Sequence, residues 1–254
     1  MKIVLKCFLI IIVMFTLFIS CDYTPLEIED GGIDNVDSSY INTGFSADSN
    51  QNVVFAINTA SSKSRTYWGD KTAESKSFST KTVSSISSTV LKKEGSVNAP
   101  YGIIFLKNDP PNNKNIKDMF FIAVLITSDG KYSVVRFNGV SWKYLVNLTS
   151  SLAINIGKRN SNDNTIMGES NKIEVVYPKN LITNEESYFT TNNVFILKIN
   201  DQEVTTFTVV NEEESDAKKF KVPNDGYNCY VAVTFPTNGA YKRESIVFTT
   251  IKVN

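Results

Sequence analysis

The feature that most constrains the fold is a series of three apolar segments joined by two tight turns. Each turn contains a residue pair, Asp-Gly or Asn-Gly, that is typical of β-hairpins. Two hairpin signals so close together predict an antiparallel meander of three strands. The segments and turns lie, in order, at residues 119–127, Asp129-Gly130, 132–137, Asn138-Gly139 and 140–146.

Short apolar segments continue on both sides of this meander. They are separated by Gly, Pro, Asn and Asp, and no long segment shows a helical period. Many short strands at regular spacing are typical of an antiparallel sandwich or jelly roll. We therefore expect an all-β domain over residues 51–254. Its other strands are predicted at 52–57, 77–90, 101–106, 173–177, 194–199, 203–210, 227–235 and 245–253, with Asn200-Asp201 as a further tight turn.

Two segments indicate which faces are buried. Residues 119–126 are apolar at every position, so we expect a strand near the middle of its sheet and covered on both faces. A loop or the stretch around Tyr67-Trp68 is expected over the second face. In 227–235 one face is apolar and the other more polar, which predicts a buried, inert thiol at Cys229.

Residues 101–201 contain a series of short motifs, each present once and in a definite order. They are Tyr101-Gly102-Ile103-Ile104-Phe105, Phe120-Phe121-Ile122, Ser128-Asp129-Gly130-Lys131-Tyr132, Asn138-Gly139-Val140-Ser141-Trp142, Asn171-Lys172-Ile173-Glu174-Val175 and Ile199-Asn200-Asp201. Their order resembles the concanavalin A-like lectin/glucanase jelly roll in its laminin-G-like bacterial form. The resemblance covers about residues 78–254. The chain departs from it at Asp201, where glycine is usual, and in longer connections at 158–170 and 178–191.

This family includes enzymes, lectins and non-catalytic modules, so the fold does not choose a function. Its glycosidases carry closely spaced carboxylates on one strand, because an acid and a nucleophile must flank one bond. The usual Glu-x-Asp-x-x-Glu pattern is absent from the predicted strands. Glu212-Glu213-Glu214 alternate faces if extended and lie in a polar stretch, so we interpret them as a solvated loop. On this basis the chain is not expected to be an enzyme.

Histidine is absent from all 254 residues. This removes the commonest general base and the commonest zinc ligand, and also the metal site of legume-type lectins. No cofactor is expected. Structural calcium, as in laminin-G-like domains, is the alternative, although the loop residues Asp109, Asp118, Asp163 and Asp225 show no recognisable spacing.

Exposed aromatic side chains that stack on sugar rings would mark a carbohydrate site. Tyr67 and Trp68 lie in a polar, loop-like stretch and are the best candidates. Tyr241 lies near Asn238-Gly239 and is a plausible loop-tip contact or a plain surface tyrosine. Trp142 matches the hairpin tryptophan of the resemblance, which favours packing over ligand contact. These four residues are the expected ligand-binding set.

The N terminus has the pattern of a bacterial secretory leader over residues 1–20. Lys2 and Lys6 precede an apolar run too short to span a bilayer comfortably. The sequence Phe18-Ile19-Ser20-Cys21 resembles a lipobox, which implies cleavage before Cys21 and lipid on its sulfur and new amino group. Phe18 departs from the usual leucine, and an uncleaved anchor is the alternative.

After cleavage the chain would be nearly neutral. Loss of Lys2 and Lys6 leaves 24 of 26 basic residues against 26 acidic ones, so the footprint of a nucleic-acid binder is absent. Residues 21–50 are polar and are expected to form a flexible tether. With Cys21 lipidated, Cys229 remains as the only thiol, and an intrachain disulfide is excluded.

The sequence thus predicts a lipid-anchored protein of the bacterial envelope, with the outer membrane or cell surface favoured. Its expected partners are the membrane, through Cys21, and a glycan or a host or partner protein. The favoured interpretation is a non-catalytic recognition domain. The alternatives are a polysaccharide hydrolase or lyase, and a structural envelope lipoprotein without a soluble ligand. A hydrolase requires two carboxylates within about 5–10 Å of each other.

Overall fold

The computed structural model of the protein contains two antiparallel β-sheets, and the residues it describes include no helix. The all-β class predicted from the sequence is confirmed. The structure describes residues 45–47, 49, 52–57, 65–69, 84–95, 100–107, 121–137, 142–159, 166–167, 169–179, 189–210, 228–235, 244–248 and 252–253.

The described strands are mostly short, as expected for a sandwich whose sheets are crossed many times by the chain. In chain order they are β1 (Phe45–Ala47), β2 (Val53–Ile57), β3 (Arg65–Gly69), β4 (Ser85–Glu94), β5 (Tyr101–Lys107), β6 (Phe121–Ile126), β7 (Lys131–Phe137), β8 (Trp142–Ser150), β9 (Lys158–Arg159), β10 (Ile166–Met167), β11 (Ser170–Val176), β12 (Val194–Ile199), β13 (Gln202–Thr208), β14 (Asn228–Phe235), β15 (Glu244–Phe248) and β16 (Lys252–Val253).

Two layers are built from these strands. The larger sheet has the order β1-β2-β15-β4-β11-β12-β13, with β16 also paired to β4. The six-stranded sheet has the order β3-β14-β5-β6-β7-β8, and β9 and β10 form a small ribbon. Within the six-stranded sheet β6, β7 and β8 are neighbours in sequence and in space, so the predicted meander is confirmed.

The first hairpin of the meander turns where the sequence predicts. Gly130 has φ +86°, a left-handed conformation that glycine adopts without strain. The backbone N–H groups of Gly130 and Thr127 donate to the carbonyls of Thr127 and Lys131, at 3.2 and 2.8 Å. The second predicted turn, Asn138-Gly139, lies outside the described residues.

The core lies between the sheets and is dominated by aliphatic and aromatic side chains. Phe105 on β5 contacts Phe195 and Phe207 of the opposite sheet, with ring centroids 5.9 and 6.3 Å apart. Phe195 and Phe207 stack on each other at 5.4 Å, and Tyr177 meets Phe195 edge-on at 5.3 Å. Such pairs add specific geometry to the burial of apolar area that holds the layers together.

The outward face of the six-stranded sheet is also buried at its centre. Phe121, Ala123 and Leu125 point away from the core, since their neighbours on β6 belong to it, yet all three are buried. Phe121 packs against Phe137 of β7 at 5.2 Å. The prediction of a central strand covered on both faces is confirmed, and this part of the sheet is not open to solvent.

Polar contacts join the sheets along one edge. The Tyr132 hydroxyl donates to the Val204 carbonyl at 3.1 Å, and the buried Arg136 guanidinium donates to the Val209 carbonyl at 2.5 Å. Both donors lie on β7. Because an unpaired buried charge is costly, the Arg136 contact fixes β7 against the segment that follows β13.

One described strand lies on the N-terminal side of residue 51. Strand β1 lies on the tether side of residue 51 and pairs with β2, through Phe45 opposite Phe55. Residues 1–44, which include the predicted leader and Cys21, lie outside the described residues. Among the residues that are described, no helix is long and apolar enough to cross a membrane.

The tyrosine-glycine motif at the start of β5 has a steric basis, which gives a first prediction. A Cβ atom on Gly102 would lie 1.9 Å from the Val124 carbonyl oxygen and 2.9 Å from the Val124 carbonyl carbon. Because both atoms are backbone of the neighbouring strand, Gly102→Ala should lower the free energy of unfolding by about 1–3 kcal/mol. Urea denaturation measures this. Thr206→Ala, at an exposed position on β13, is the control and should unfold with the wild type; an unshifted Gly102→Ala curve would contradict the steric argument.

Candidate functional site

The outward face of the larger sheet carries a group of charged side chains, which we call the charged face. It consists of Lys172 and Glu174 on β11, Lys198 on β12, Asp201 in the following turn and Glu203 on β13. The residues that alternate with them along β11 and β12 belong to the core, so the pleat directs the charged side chains outward.

The turn between β12 and β13 positions Asp201. Asn200 and Asp201 form a two-residue hairpin loop between the paired residues Ile199 and Gln202, with φ +51° and +65°. Asn and Asp tolerate this left-handed conformation, and a type I′ turn requires it at both positions. The tight turn predicted here is confirmed, and Asp201 occupies a position where glycine is also favoured.

A buried asparagine holds the turn in place. The Asn171 side-chain oxygen accepts hydrogen bonds from the Asn155 backbone N–H and from the Asn200 amide, both at 2.8 Å. The Asn171 amide donates to the Asn155 carbonyl at 3.1 Å, and the Asn200 amide also donates to the Ala153 carbonyl at 2.7 Å. This asparagine network therefore fixes the turn against the loop 151–157.

The same turn grips the backbone of Lys172. The Asn200 side-chain oxygen accepts from the Lys172 N–H at 2.8 Å, and the Asn200 N–H donates to the Lys172 carbonyl at 2.9 Å. Because Asp201 follows directly, its carboxylate is brought beside the Lys172 side chain. The backbone contacts thus determine which groups meet on the charged face.

Lys172 lies between two carboxylates. Its Nζ is 2.6 Å from Asp201 Oδ1 and 3.7 Å from Glu174 Oε2. Since both oxygens lie close to one nitrogen, they can be at most 6.3 Å apart, which is the sum of the two distances. The Glu174 side chain is only 16% exposed and that of Asp201 is 75% exposed. The two carboxylates therefore share a cation but differ in their contact with water.

The surrounding charges alternate in sign. Lys198 is the register partner of Glu174, and Glu203 is the register partner of Lys198. Opposite charges side by side on neighbouring strands stabilise the pairing. Within the described part of the chain no group of three or more Asp, Glu, Cys or His side chains is arranged to hold a metal ion.

The electrostatics of this group are clearest at the lysine. The hydrogen bond that Lys172 donates to Asp201 raises the pKa of Lys172 above its ordinary value, and the charge of Glu174 acts in the same direction, while partial burial opposes both. A raised pKa means that the charged lysine stabilises the folded state at neutral pH and that this contribution is lost as the pH rises through the folded-state pKa. Because the lysine is substantially exposed, solvent screening keeps the effect on stability small.

Titration of the lysine amines tests this arrangement. We expect the pKa of the Lys172 amine to lie above the ordinary value for lysine, and Asp201→Asn to lower the Lys172 pKa because it removes the strongest partner. NMR detection of the side-chain amine measures both. Glu203→Gln, on the next strand, should leave the Lys172 titration nearly unchanged. Equal titration of Lys172 in wild type and Asp201→Asn would show that the ion pair is not formed in solution.

The aromatic residues predicted as a ligand-binding set are not gathered at one place. Tyr67 and Trp68 lie on β3, a strand paired with β14 at one edge of the six-stranded sheet, so the stretch is not loop-like. Trp142 begins β8 at the other edge, opposite Phe137. Five inter-strand spacings separate these edges, about 24 Å. The two tryptophans therefore do not line one small site.

Other predicted residues lie outside the described part of the chain. They are Cys21, Tyr241, the acidic run at 212–214 and the four loop aspartates considered for calcium. Their roles stay predictions. Cys229 lies on β14, as predicted for that strand.

Sequence reasoning missed Lys172, Glu174 and Asp201 as a group. It sought carboxylates on a single strand, whereas Glu174 belongs to a strand and Asp201 to a hairpin turn 27 residues later. The signal available was the alternation of charged and apolar residues in β11 together with the Asn-Asp turn. The sequence alone does not reveal that β11 and β12 are neighbours in the sheet.

Comparisons with known proteins gave matches among solved structures only. No family model matches the chain, and no curated protein does. Among solved structures, similar ones include a glycoside hydrolase family 16 endo-glucanase from Bacteroides ovatus (9% identity, 86% of each chain, TM-score 0.43) and a laminarinase from a Flavobacterium (11% identity, 83% and 81%, TM-score 0.41). Sheep galectin-11 is also similar (9% identity, 70% and 93%, TM-score 0.37).

The sheet topology confirms the antiparallel β-sandwich predicted from the sequence. Several of the similar structures are glucanases or laminarinases by name, and this runs against the expectation of a non-catalytic domain. The preference for a non-catalytic domain, and the expectation that the chain is not an enzyme, are therefore corrected. That expectation had required carboxylates on a single strand, whereas this fold brings Glu174 and Asp201 to one lysine from separate segments.

Proposed function

We propose that this protein is a polysaccharide hydrolase held at the bacterial envelope by a lipid on Cys21. The observation that carries the hydrolase proposal is the spacing of Glu174 and Asp201 around Lys172 on an exposed face. Glycosidases use two carboxyl groups that flank the scissile bond, about 5–5.5 Å apart when configuration is retained and about 6.5–9.5 Å when it is inverted. A separation of at most about 6 Å fits retention.

The difference in environment assigns the roles. Glu174 is the less exposed carboxyl group, at 16%, and we assign it as the general acid. Asp201 is 75% exposed, so a substrate can approach it from solvent, and we assign it as the nucleophile. Lys172 holds the two groups together and is a positioning residue rather than a reacting one.

The choice of face follows from solvent access. A polysaccharide needs an open surface, and the outward face of the six-stranded sheet is covered at Phe121, Ala123 and Leu125. On the charged face, Asp201 and Glu203 are exposed and Lys172 is partly so. Threonines on β13 border these charges, and hydroxyl groups of this kind can hydrogen-bond sugars.

Release of reducing ends from mixed-linkage glucan and laminarin tests the activity. These substrates are chosen because the similar solved structures include a mixed-linkage glucan enzyme and a laminarinase. The mature chain should show turnover, and Glu174→Gln or Asp201→Asn should each lower kcat by about 10²–10⁴-fold, because each removes a proton-transfer or nucleophilic group. Glu203→Gln is the matched control. It removes a carboxylate from the same face, outside the pair, and should keep the wild-type rate.

Two results would overturn the assignment in different ways. Turnover that survives both Glu174→Gln and Asp201→Asn would place the chemistry elsewhere on the molecule. Absence of turnover on a broad panel of neutral and acidic polysaccharides would refute the hydrolase function itself.

The anchor requires a separate experiment. The lipobox-like sequence supports lipidation of Cys21. The polar segment up to residue 44 would then connect the lipid to the β-domain. Cells grown with radiolabelled palmitate should label the wild type, and Cys21→Ala should abolish the label. Cys229→Ala, the control, should keep it. Because Phe18 replaces the usual leucine, Phe18→Leu should label at least as strongly; a labelled Cys21→Ala variant would refute the site.

A further inference from the structure

The loop 151–157 exposes two apolar side chains at one end of the sandwich. Leu152 is fully exposed, at 104% of its reference area, and Ile156 is 59% exposed. The residues between them behave in the opposite way, since Ala153 and Ile154 are buried in the core. The loop is therefore anchored at its middle, with one exposed apolar residue before the buried pair and one after it.

Hydrogen bonds prevent this loop from folding its leucine inward. The Ala153 N–H donates to the Ser151 hydroxyl at 3.2 Å, and the Ala153 carbonyl accepts from Asn200. Asn155 is held at its N–H and carbonyl by Asn171, and its amide donates to the Ser170 carbonyl at 3.0 Å. The asparagine network thus fixes the exposure of Leu152.

Ile156 is fixed from the other side. A Cβ atom placed on Gly130 would lie 3.3 Å from Cγ1 and 3.4 Å from Cδ1 of Ile156. The absence of a side chain at Gly130 therefore leaves room for Ile156 to rest on the β6–β7 turn. Single exposed apolar residues are ordinary on protein surfaces, but two on one loop held by this many bonds call for a partner.

We propose that Leu152 and Ile156 insert into the surface of the lipid bilayer that anchors the chain. This inference rests on the proposed lipid at Cys21. The loop would add a second, weak contact to a domain already confined to the membrane, and would orient the sandwich with this end toward the lipid.

The size of the patch favours lipid over a protein partner. A stable protein interface buries about 800 Å² on each side, far more than two side chains provide. Burial of two such side chains gives a favourable but small free energy. That is too little to recruit a soluble protein, but it suffices when a tether already supplies a high effective concentration at the membrane.

Reach and charge agree with this occupant. The roughly 23 residues between Cys21 and β1 can extend to about 80 Å, which allows any face of the domain to meet the bilayer. Lys158 follows the loop on β9 and is exposed. A lysine beside apolar residues suits the level of the lipid phosphates, where its stem lies along apolar surface and its ammonium group stays hydrated.

Spin labels on the lipidated chain test the contact. Leu152→Cys and Val194→Cys, each in a Cys229→Ala background, place one nitroxide on the molecule because Cys21 carries lipid. Val194 is the matched control: it is apolar and exposed, and it begins β12 at the end opposite Asn200, about 20 Å away. Both sites are exposed, so the label should not disturb the core.

The chains are reconstituted in vesicles of phosphatidylethanolamine and phosphatidylglycerol. Relaxation by oxygen, which concentrates in lipid, is then compared with relaxation by a water-soluble nickel chelate. We expect the label at 152 to be relaxed several-fold more by oxygen relative to the nickel chelate than the label at 194.

The failures are distinguishable. If the chain floats with the vesicles but both labels are relaxed equally by the nickel chelate, the loop contact is refuted and the anchor stands. If the chain does not float, the anchor fails and the contact fails with it. Dipolar broadening at position 152 would show that a second copy, rather than lipid, covers the loop, and would also overturn the proposal.

Discussion

The described part of the fold depends most on one buried side chain, Asn171. Its oxygen and amide together bind Asn155 and Asn200, and through Asn200 they reach the Ala153 carbonyl. Buried polar groups are tolerated only when they are satisfied, and here every partner belongs to a different segment. The network therefore joins the start of β11, the β12–β13 turn and the loop after β8, which are not adjacent in sequence.

The burial of sheet faces then limits where a large ligand can bind. The core-facing sides meet each other, and the outward side of the six-stranded sheet is buried around Phe121 and Phe137. The larger sheet keeps an outward face with charged side chains on β11, β12 and β13. A site for a polymer is thus confined by burial, independently of any catalytic assignment. Likewise, the separation of Trp68 from Trp142 by the width of a sheet argues against a shared aromatic platform.

The local part of the fold could be predicted from the sequence, and the long-range part could not. Apolar runs and turn pairs located β6, β7, β12 and the Asn200-Asp201 turn within a few residues, because hairpins are encoded by neighbouring residues. The polar stretch at Tyr67-Trp68 was wrongly predicted to be a loop, because this strand forms through its pairing with β14, which is distant in sequence. The pairing of β11 with β12 spans the long connection after Tyr177, so no local pattern revealed that Glu174 and Asp201 meet at Lys172.

The two proposals share a structural element, and this restricts how they can both hold. Asn200 bonds the loop that carries Leu152, and its neighbour Asp201 belongs to the carboxylate pair. If the loop touches lipid, the pair lies at the membrane-proximal end of the larger sheet, and its substrate must be a glycan within reach of the bilayer. Activity on a soluble polysaccharide would then fall when the lipidated chain is bound to vesicles, because lipid competes for the same end. Equal rates free and bound would mean that substrate approaches along β11 and β12 from the other side.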